Sequence, residues 1–195
     1  MQNYSLRDVK KVSYGDFDML VGKLTIQVQT FLERNHMDID MIVPLFRNGM
    51  LPAQRLASAF SVNTILPYES KYHVSPAGSL KHTLTHKETT LENEYCQTLI
   101  SPKGILILDV HTISGSYPKV VVNELKRFYP GVPLLFLTLV FSDIACRDFP
   151  CPLIYCQKSR ECLQEHGVLD KVFVFPWENE NEVLQDLNLM LRDMG

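Results

Sequence analysis

A chain of 195 residues with 46% hydrophobic and 21% charged residues is of single-domain size, long enough to enclose one core and too ordinary in composition for a disordered or fibrous protein. Its formal net charge of -3 supplies no general pull toward nucleic acid or an anionic membrane, so neither is expected as a partner. The amino end, MQNYSLRDVKK, lacks a signal-peptide apolar stretch and no run reaches the roughly 18 apolar residues of a spanning helix, which predicts a cytoplasmic protein.

In chain order, Ser13 can cap a helix with Asp16 in its first turn, and Phe17, Leu20, Val21, Leu24, Val28 and Phe31 recur at helical spacing. Met41 to Phe46 is a short apolar run that stops at Arg47-Asn48-Gly49 and leads into MLPAQRLASAF, a helix expected to begin near Pro52. Val62 to Leu66 reads as a further strand. From about residue 68 to 101 the chain turns polar and loses periodicity, which predicts a long mobile loop or ribbon of the lid or binding type, with room for weak strands inside it.

Ile105 to Leu108 is the cleanest strand, ending at Asp109, and Gly115, Ser116 and Pro118 open a helix marked by Val121, Val122, Leu125 and Phe128. Leu134 to Phe141 is another buried strand, and Asn179 through Leu191 is a terminal amphipathic helix with acidic residues in its first turn. Strands alternating with helices predict one α/β domain over residues 1–195, a mostly parallel central sheet covered by helices on both faces. Ligands of such sheets bind beyond the carboxyl ends of the strands, so the two strand-to-helix turns are where chemistry is expected. The runs 41–46 and 105–108 should be neighbouring or near-neighbouring strands opening on one cleft.

The five cysteines, Cys96, Cys146, Cys151, Cys156 and Cys162, are an odd number, which favours free thiols over a disulfide framework. The last four are separated by four, four and five residues, without the CxxC knuckles of a zinc site, and no structural metal is expected from them.

In ILILDVHTISGSYPKVV an acid closes the strand and Ser114-Gly115-Ser116 precedes a helix, a backbone and hydroxyl cradle suited to a phosphate. This segment resembles the phosphoribosyl pyrophosphate (PRPP) signature of the type I phosphoribosyltransferases, with Asp109 at the first acid and Gly115 at the loop glycine. MIVPLFRNGMLPAQRLA resembles that family's first loop, KVSYGDFDMLVGKL the opening helix of its purine subgroup, and VFVFPWE the subgroup's closing Phe-Pro-Trp-Glu. These four segments occur in the expected order over nearly the whole chain.

The resemblance implies a type I phosphoribosyltransferase-like fold with a small hood formed by the chain ends, and a homodimer. It implies transfer of ribose 5-phosphate from PRPP to a nitrogenous, purine-like base, with Mg2+ accompanying PRPP. Asp109 would be catalytic; Thr112, Ser114, Gly115 and Ser116 would hold the 5-phosphate, and Arg47, Asn48 and Gly49 the pyrophosphate. Ser70, Lys71 and Tyr72 match the lid, and Phe173 stands near the base pocket, where Val172 takes the place of the usual aromatic and Ser142 or Asp143 aligns near the usual lysine. Trp177 is expected to pack on the terminal helix.

The chain departs from the family at two acids, replaced by Val110 and Ile113. Valine cannot accept a ribose hydroxyl proton, and loss of negative charge weakens stabilisation of an oxocarbenium-like transition state. His111 is a candidate replacement acid or metal ligand, though a strand-end histidine is more often a satisfied loop residue. The alternative function is a catalytically degenerate PRPP- or nucleotide-binding regulatory or sensor protein of the same fold.

Overall fold

The computed structural model describes residues 4–46, 48–68, 71–74, 80–83, 101–113, 115–141, 149–159 and 171–193. Five parallel strands make the central sheet: β2 (Met41–Pro44), β3 (Thr64–Ile65), β6 (Ile105–Thr112), β7 (Leu134–Phe141) and β8 (Leu153–Lys158), in the spatial order β3-β2-β6-β7-β8. Every residue of β2 and β7 is buried, the pattern of strands covered on both faces.

The helix α1 (Tyr14–Asn35) starts where Ser13 and Asp16 cap one another: the Asp16 N–H donates to Ser13 Oγ at 3.1 Å and the Ser13 N–H to Asp16 Oδ2 at 3.0 Å. The Ser13 hydroxyl, which donates to Asp16 Oδ2 at 2.6 Å, and then the Ser13 N–H hold the Asp16 carboxyl below its usual range. It ends at His36, in the left-handed region with φ of 49°. Phe17, Val21, Leu24 and Val28 form its buried stripe, each contributing about 1.5–3 kcal/mol of burial. Together with α2 (Met50–Phe60) they cover one face of the sheet, against Ile42, Leu106, Leu108, Val110, Leu135 and Leu137.

The other face belongs to α3 (Ser116–Phe128), whose Val121, Val122 and Leu125 pack on Met41, Val43, Ile105, Ile107 and Phe136. Strand β6 therefore sends Ile105 and Ile107 to one side and Leu106, Leu108 and Val110 to the other, as a two-residue period requires.

The chain ends meet. β1 (Val9–Lys11) pairs in parallel with β9 (Val172–Val174), and α4 (Glu180–Asp193) closes beneath them through Leu184 and Leu187. Asn188 clamps the Tyr4 backbone, accepting from its N–H at 2.8 Å and donating to its carbonyl at 2.9 Å. A hood built from the two ends thus stands beside the main sheet.

Several sequence expectations need adjustment. The strand read as 105–108 continues to Thr112, so Asp109 lies within β6 rather than at its end. In the segment from 68 onward the weak strands allowed for there are present. Tyr68 is buried, pairs with Leu45 and donates its hydroxyl to Glu124 of α3, and β4 (Lys71–Val74) pairs antiparallel with β5 (Leu80–Thr83). Trp177 packs on α1 rather than α4, edge-on to Phe17 at 4.9 Å and stacked on Phe175 at 5.4 Å. Among the cysteines, Cys151 and Cys156 are free thiols, pushed up by burial to about 11 and about 12. Among the described residues no helix is long and apolar enough to cross a membrane.

Candidate functional site

Strand order reverses between β2 and β6: from β2 the chain moves outward to β3, from β6 in the opposite direction to β7 and β8. In open α/β sheets a crevice forms at such a reversal, outside the carboxyl ends of the two strands. The register Met41↔Ile105 to Pro44↔Leu108 sets the end of β2 against the middle of β6, which runs on to Thr112, and the Leu45 N–H donates to the Leu108 carbonyl at 2.8 Å where β2 ends. Both strand-to-helix turns expected from the sequence open here, side by side.

The two helices that leave the crevice have glycine as N-cap, Gly49 for α2 and Gly115 for α3, and neither receives a side-chain cap hydrogen bond. The contrast with the full capping box of α1 is chemical. An amino end without a capping side chain leaves its first N–H groups to solvent or to an anion, and the helix dipole favours the anion. Gly115 is left-handed, with φ of 69° and ψ of -3°, and its carbonyl accepts from the Lys119 N–H at 3.1 Å. Of the remaining cradle residues, Ser116 begins α3, and Ser114 lies outside the described residues. Thr112 belongs to the strand instead: it is buried and donates its hydroxyl to Asp109 Oδ2 at 2.9 Å, so that hydroxyl is committed to the carboxylate rather than to a phosphate.

Asp109 is oriented by its neighbours. Its Oδ1 accepts from the Val110 N–H at 2.8 Å while Oδ2 takes the Thr112 hydroxyl. Burial raises it to about 6 against the opposing pull of those two bonds. Val110, at the position of the missing acid, is 0% exposed and belongs to the core under α1 and α2. Ile113 packs against the hood cluster of Val172, Val174, Leu184 and Leu187. Both replacements therefore serve packing.

A second carboxylate reaches the site from the closing motif. Glu178 accepts from the Asn48 side-chain amide through Oε1 and from the Phe175 N–H through Oε2, the latter at 2.8 Å. Burial is the main cause that raises it to about 7, and the charge of Asp109 adds to the rise. The closing Phe-Pro-Trp-Glu was visible in the sequence as a motif, yet Glu178 was not among the expected site residues. Its partner lies 130 positions earlier, a separation that no local pattern encodes.

Asn48 and Gly49 are thus at the crevice, and Arg47 lies outside the described residues. Gly49 is buried and donates its N–H to the Leu45 carbonyl at 2.9 Å. For the lid, Lys71 and Tyr72 are strand residues of β4, and Ser70 lies outside the described residues, as do Ser142 and Asp143. Phe173 is 2% exposed, with the Lys10 ammonium 5.2 Å from its centroid and the His111 ring edge-on at 5.7 Å. A ring so covered offers no face for stacking a base. Val172 is likewise buried in the hood. Burial lowers His111 to about 4, opposed by a hydrogen bond to the Phe173 backbone, so its imidazole is neutral near pH 7 and ties β6 to the hood.

No family model matches the chain, and no curated protein matches it. Solved structures do. A purine phosphoribosyltransferase from Pyrococcus horikoshii Ot3 superposes with a TM-score of 0.61 at 17% identity, over 88% of this chain and 95% of that one. The chain has a type I phosphoribosyltransferase-like fold. The xanthine-guanine-hypoxanthine phosphoribosyltransferase of Helicobacter pylori gives 0.58 at 16% identity, covering 90% of this chain and 97% of that one. A hypothetical protein from Neisseria gonorrhoeae with bound ppGpp gives 0.66 at 15% identity, covering 91% and 97%.

Proposed function

We propose that the chain is a phosphoribosyltransferase that takes PRPP across the two turns and transfers its ribose 5-phosphate group to a nitrogenous, purine-like base. The observation that carries this reading is the placement of two glycine-capped helix amino ends side by side at the strand-order reversal. PRPP is a sugar with a phosphate at one end and a diphosphate at the other. Two adjacent anion receptors match that chemistry, the α3 turn for the 5-phosphate and the α2 turn for the diphosphate. Two of the structures sharing the fold are named as enzymes acting on purine-type bases.

In this reading Asp109, fixed by Val110 N–H and Thr112 Oγ, accepts a ribose hydroxyl in its ionised form. As the bond to the diphosphate lengthens, positive charge grows on the ribose, and negative charge nearby lowers the barrier. Among the described residues Asp109 is the acid placed to do this, and Glu178, near enough to feel its charge, is engaged by Asn48 and the Phe175 N–H. Mg2+ commonly enters such sites with the phosphates, held by one or two carboxylates and water. Asp109 and Glu178 already spend both of their oxygens on hydrogen bonds within the protein, so such an ion would be held mainly by the phosphates of PRPP itself.

A second reading has its own support: Val110 and Ile113 are built into the core and hood, and one of the fold's relatives holds ppGpp, a nucleotide bearing diphosphates. In that reading the crevice binds PRPP or a nucleotide without turnover. Isothermal calorimetry with PRPP and Mg2+, followed by a pyrophosphate-release assay over purine bases, separates the two. Binding with base-dependent release is the expected result. Binding of PRPP without release selects the sensor; absence of PRPP binding refutes the transferase, and absence of ppGpp binding in the same calorimetry as well refutes both.

A further inference from the structure

Asn48 stands one residue before Gly49, and its side chain is engaged from the far end of the chain by Glu178 Oε1. The other oxygen of that carboxylate accepts from the Phe175 N–H at 2.8 Å, so Glu178 is anchored behind by the turn after β9 and holds the β2–α2 turn in front. On its opposite side the same turn is fixed to the sheet, through Gly49 N–H to the Leu45 carbonyl at 2.9 Å and Leu45 N–H to the Leu108 carbonyl at 2.8 Å. Keeping a carboxyl so little solvated is costly, and the two hydrogen bonds offset that cost. At Asn48 this turn carries a side chain whose amide is spent on the hydrogen bond to Glu178.

We propose that Glu178 is a positioning residue for diphosphate recognition: through Asn48 it sets the β2–α2 turn, and with it the amino end of α2, in the orientation that meets the diphosphate of PRPP. The inference rests on the reading of the crevice as a PRPP site. Its selectivity is specific, because ribose 5-phosphate engages the α3 turn and lacks the diphosphate that the Asn48 turn would meet. The ratio of the two affinities therefore reports on the latch, whereas general loosening of the fold weakens both ligands together.

The test is a double-mutant cycle of Asn48→Ala and Glu178→Ala in the full chain, read by calorimetry with PRPP plus Mg2+ and with ribose 5-phosphate, alongside thermal melting. Each single change should weaken PRPP about tenfold and the double change by about the same tenfold, since residues that act through one contact are not additive. Ribose 5-phosphate affinity should change less than about twofold, because its cradle is untouched. Asn48→Ala leaves the Phe175 contact of Glu178 in place, so it carries the test on its own should Glu178→Ala fail to fold. Additive losses, equal losses for both ligands, or PRPP affinity unmoved by Asn48→Ala would each overturn the proposal while leaving PRPP binding standing. A parent chain that binds neither ligand would instead remove the PRPP reading and this inference with it.

Discussion

Gly49 and Gly115 stand one strand apart at the same end of the sheet, and they are glycine for different physical reasons. Gly49 has φ of -67° and ψ of -12°, a helical conformation open to any residue. What forbids a side chain there is space: a Cβ would overlap the Leu108 carbonyl oxygen and lie 2.9 Å from both the nitrogen and the oxygen of Leu45. Gly115, at φ of 69°, is excluded from other residues by conformation. The first turn is therefore a packing joint that fixes the end of β2 to β6 and, through Asn48, to the hood. The second is a bend that redirects the chain into α3. Side by side, one supplies rigidity and the other shape.

The residue just before the second turn gives the largest expected effect. Val110 is 0% exposed among Val12, Leu108, Leu139 and Phe173, all members of one buried cluster. Val110→Asp would restore one of the two acids of the resembling signature and yet bury a carboxyl in that cluster, at a loss of about 4 kcal/mol of unfolding free energy. Urea unfolding and PRPP calorimetry on the same variant check it: lower stability without tighter binding is expected. Full stability with tighter PRPP binding would mean that the end of β6 opens to the crevice, and the division between core and site would have to be redrawn.

The joint itself comes next. In Gly49→Ala the obstacles are backbone atoms on β6 and on the end of β2, which cannot swing aside as a flexible side chain can. The expected loss is about 3 kcal/mol, the upper part of the usual overpacking range. The measurement is the urea midpoint, with PRPP affinity falling as the turn shifts. A variant as stable as the parent would show that the end of β2 can separate freely from β6.

How much of this was legible in the sequence follows the range of the forces involved. The Ser13–Asp16 box, the stripe of α1 and the uniformly apolar run of β7 are local, and their positions could be read from residue types alone. The neighbouring of β2 and β6 and the succession of strand, glycine and helix at each turn were also readable, because two short patterns recur in order. Gly49 and Gly115 looked alike, however, since a sequence does not show that the Leu108 carbonyl sits against one of them. Glu178 and Asn48 meet only after the whole sheet has formed between them. Asp109 was read as a strand terminus because polarity usually ends an apolar run, whereas β6 continues to Thr112 with Val110 and Thr112 buried. Phe173 looked like a ring for stacking, and β-pairing of the chain ends covers it.

The smallest stability effect belongs to Gly115, and it completes the contrast because conformation, unlike space, can be conceded in part. An alanine at φ of 69° costs about 1–2 kcal/mol for the left-handed backbone. Asparagine visits that region several-fold more readily than most residues, so Gly115→Asn should recover part of the stability that Gly115→Ala loses. Gly49→Asn should recover nothing, because its side chain begins with the same Cβ that the Leu108 carbonyl excludes. Binding should follow a different order from stability. The 5-phosphate must come close to the backbone at Gly115, so both variants there should weaken ribose 5-phosphate by more than their small unfolding cost suggests. Unfolding curves for the four variants, paired with ribose 5-phosphate calorimetry, decide the matter. Asparagine rescue at Gly115 alone is expected. Equal rescue at both positions would show that the two glycines answer to one constraint, and unchanged ribose 5-phosphate affinity in both Gly115 variants would take the phosphate away from the α3 turn.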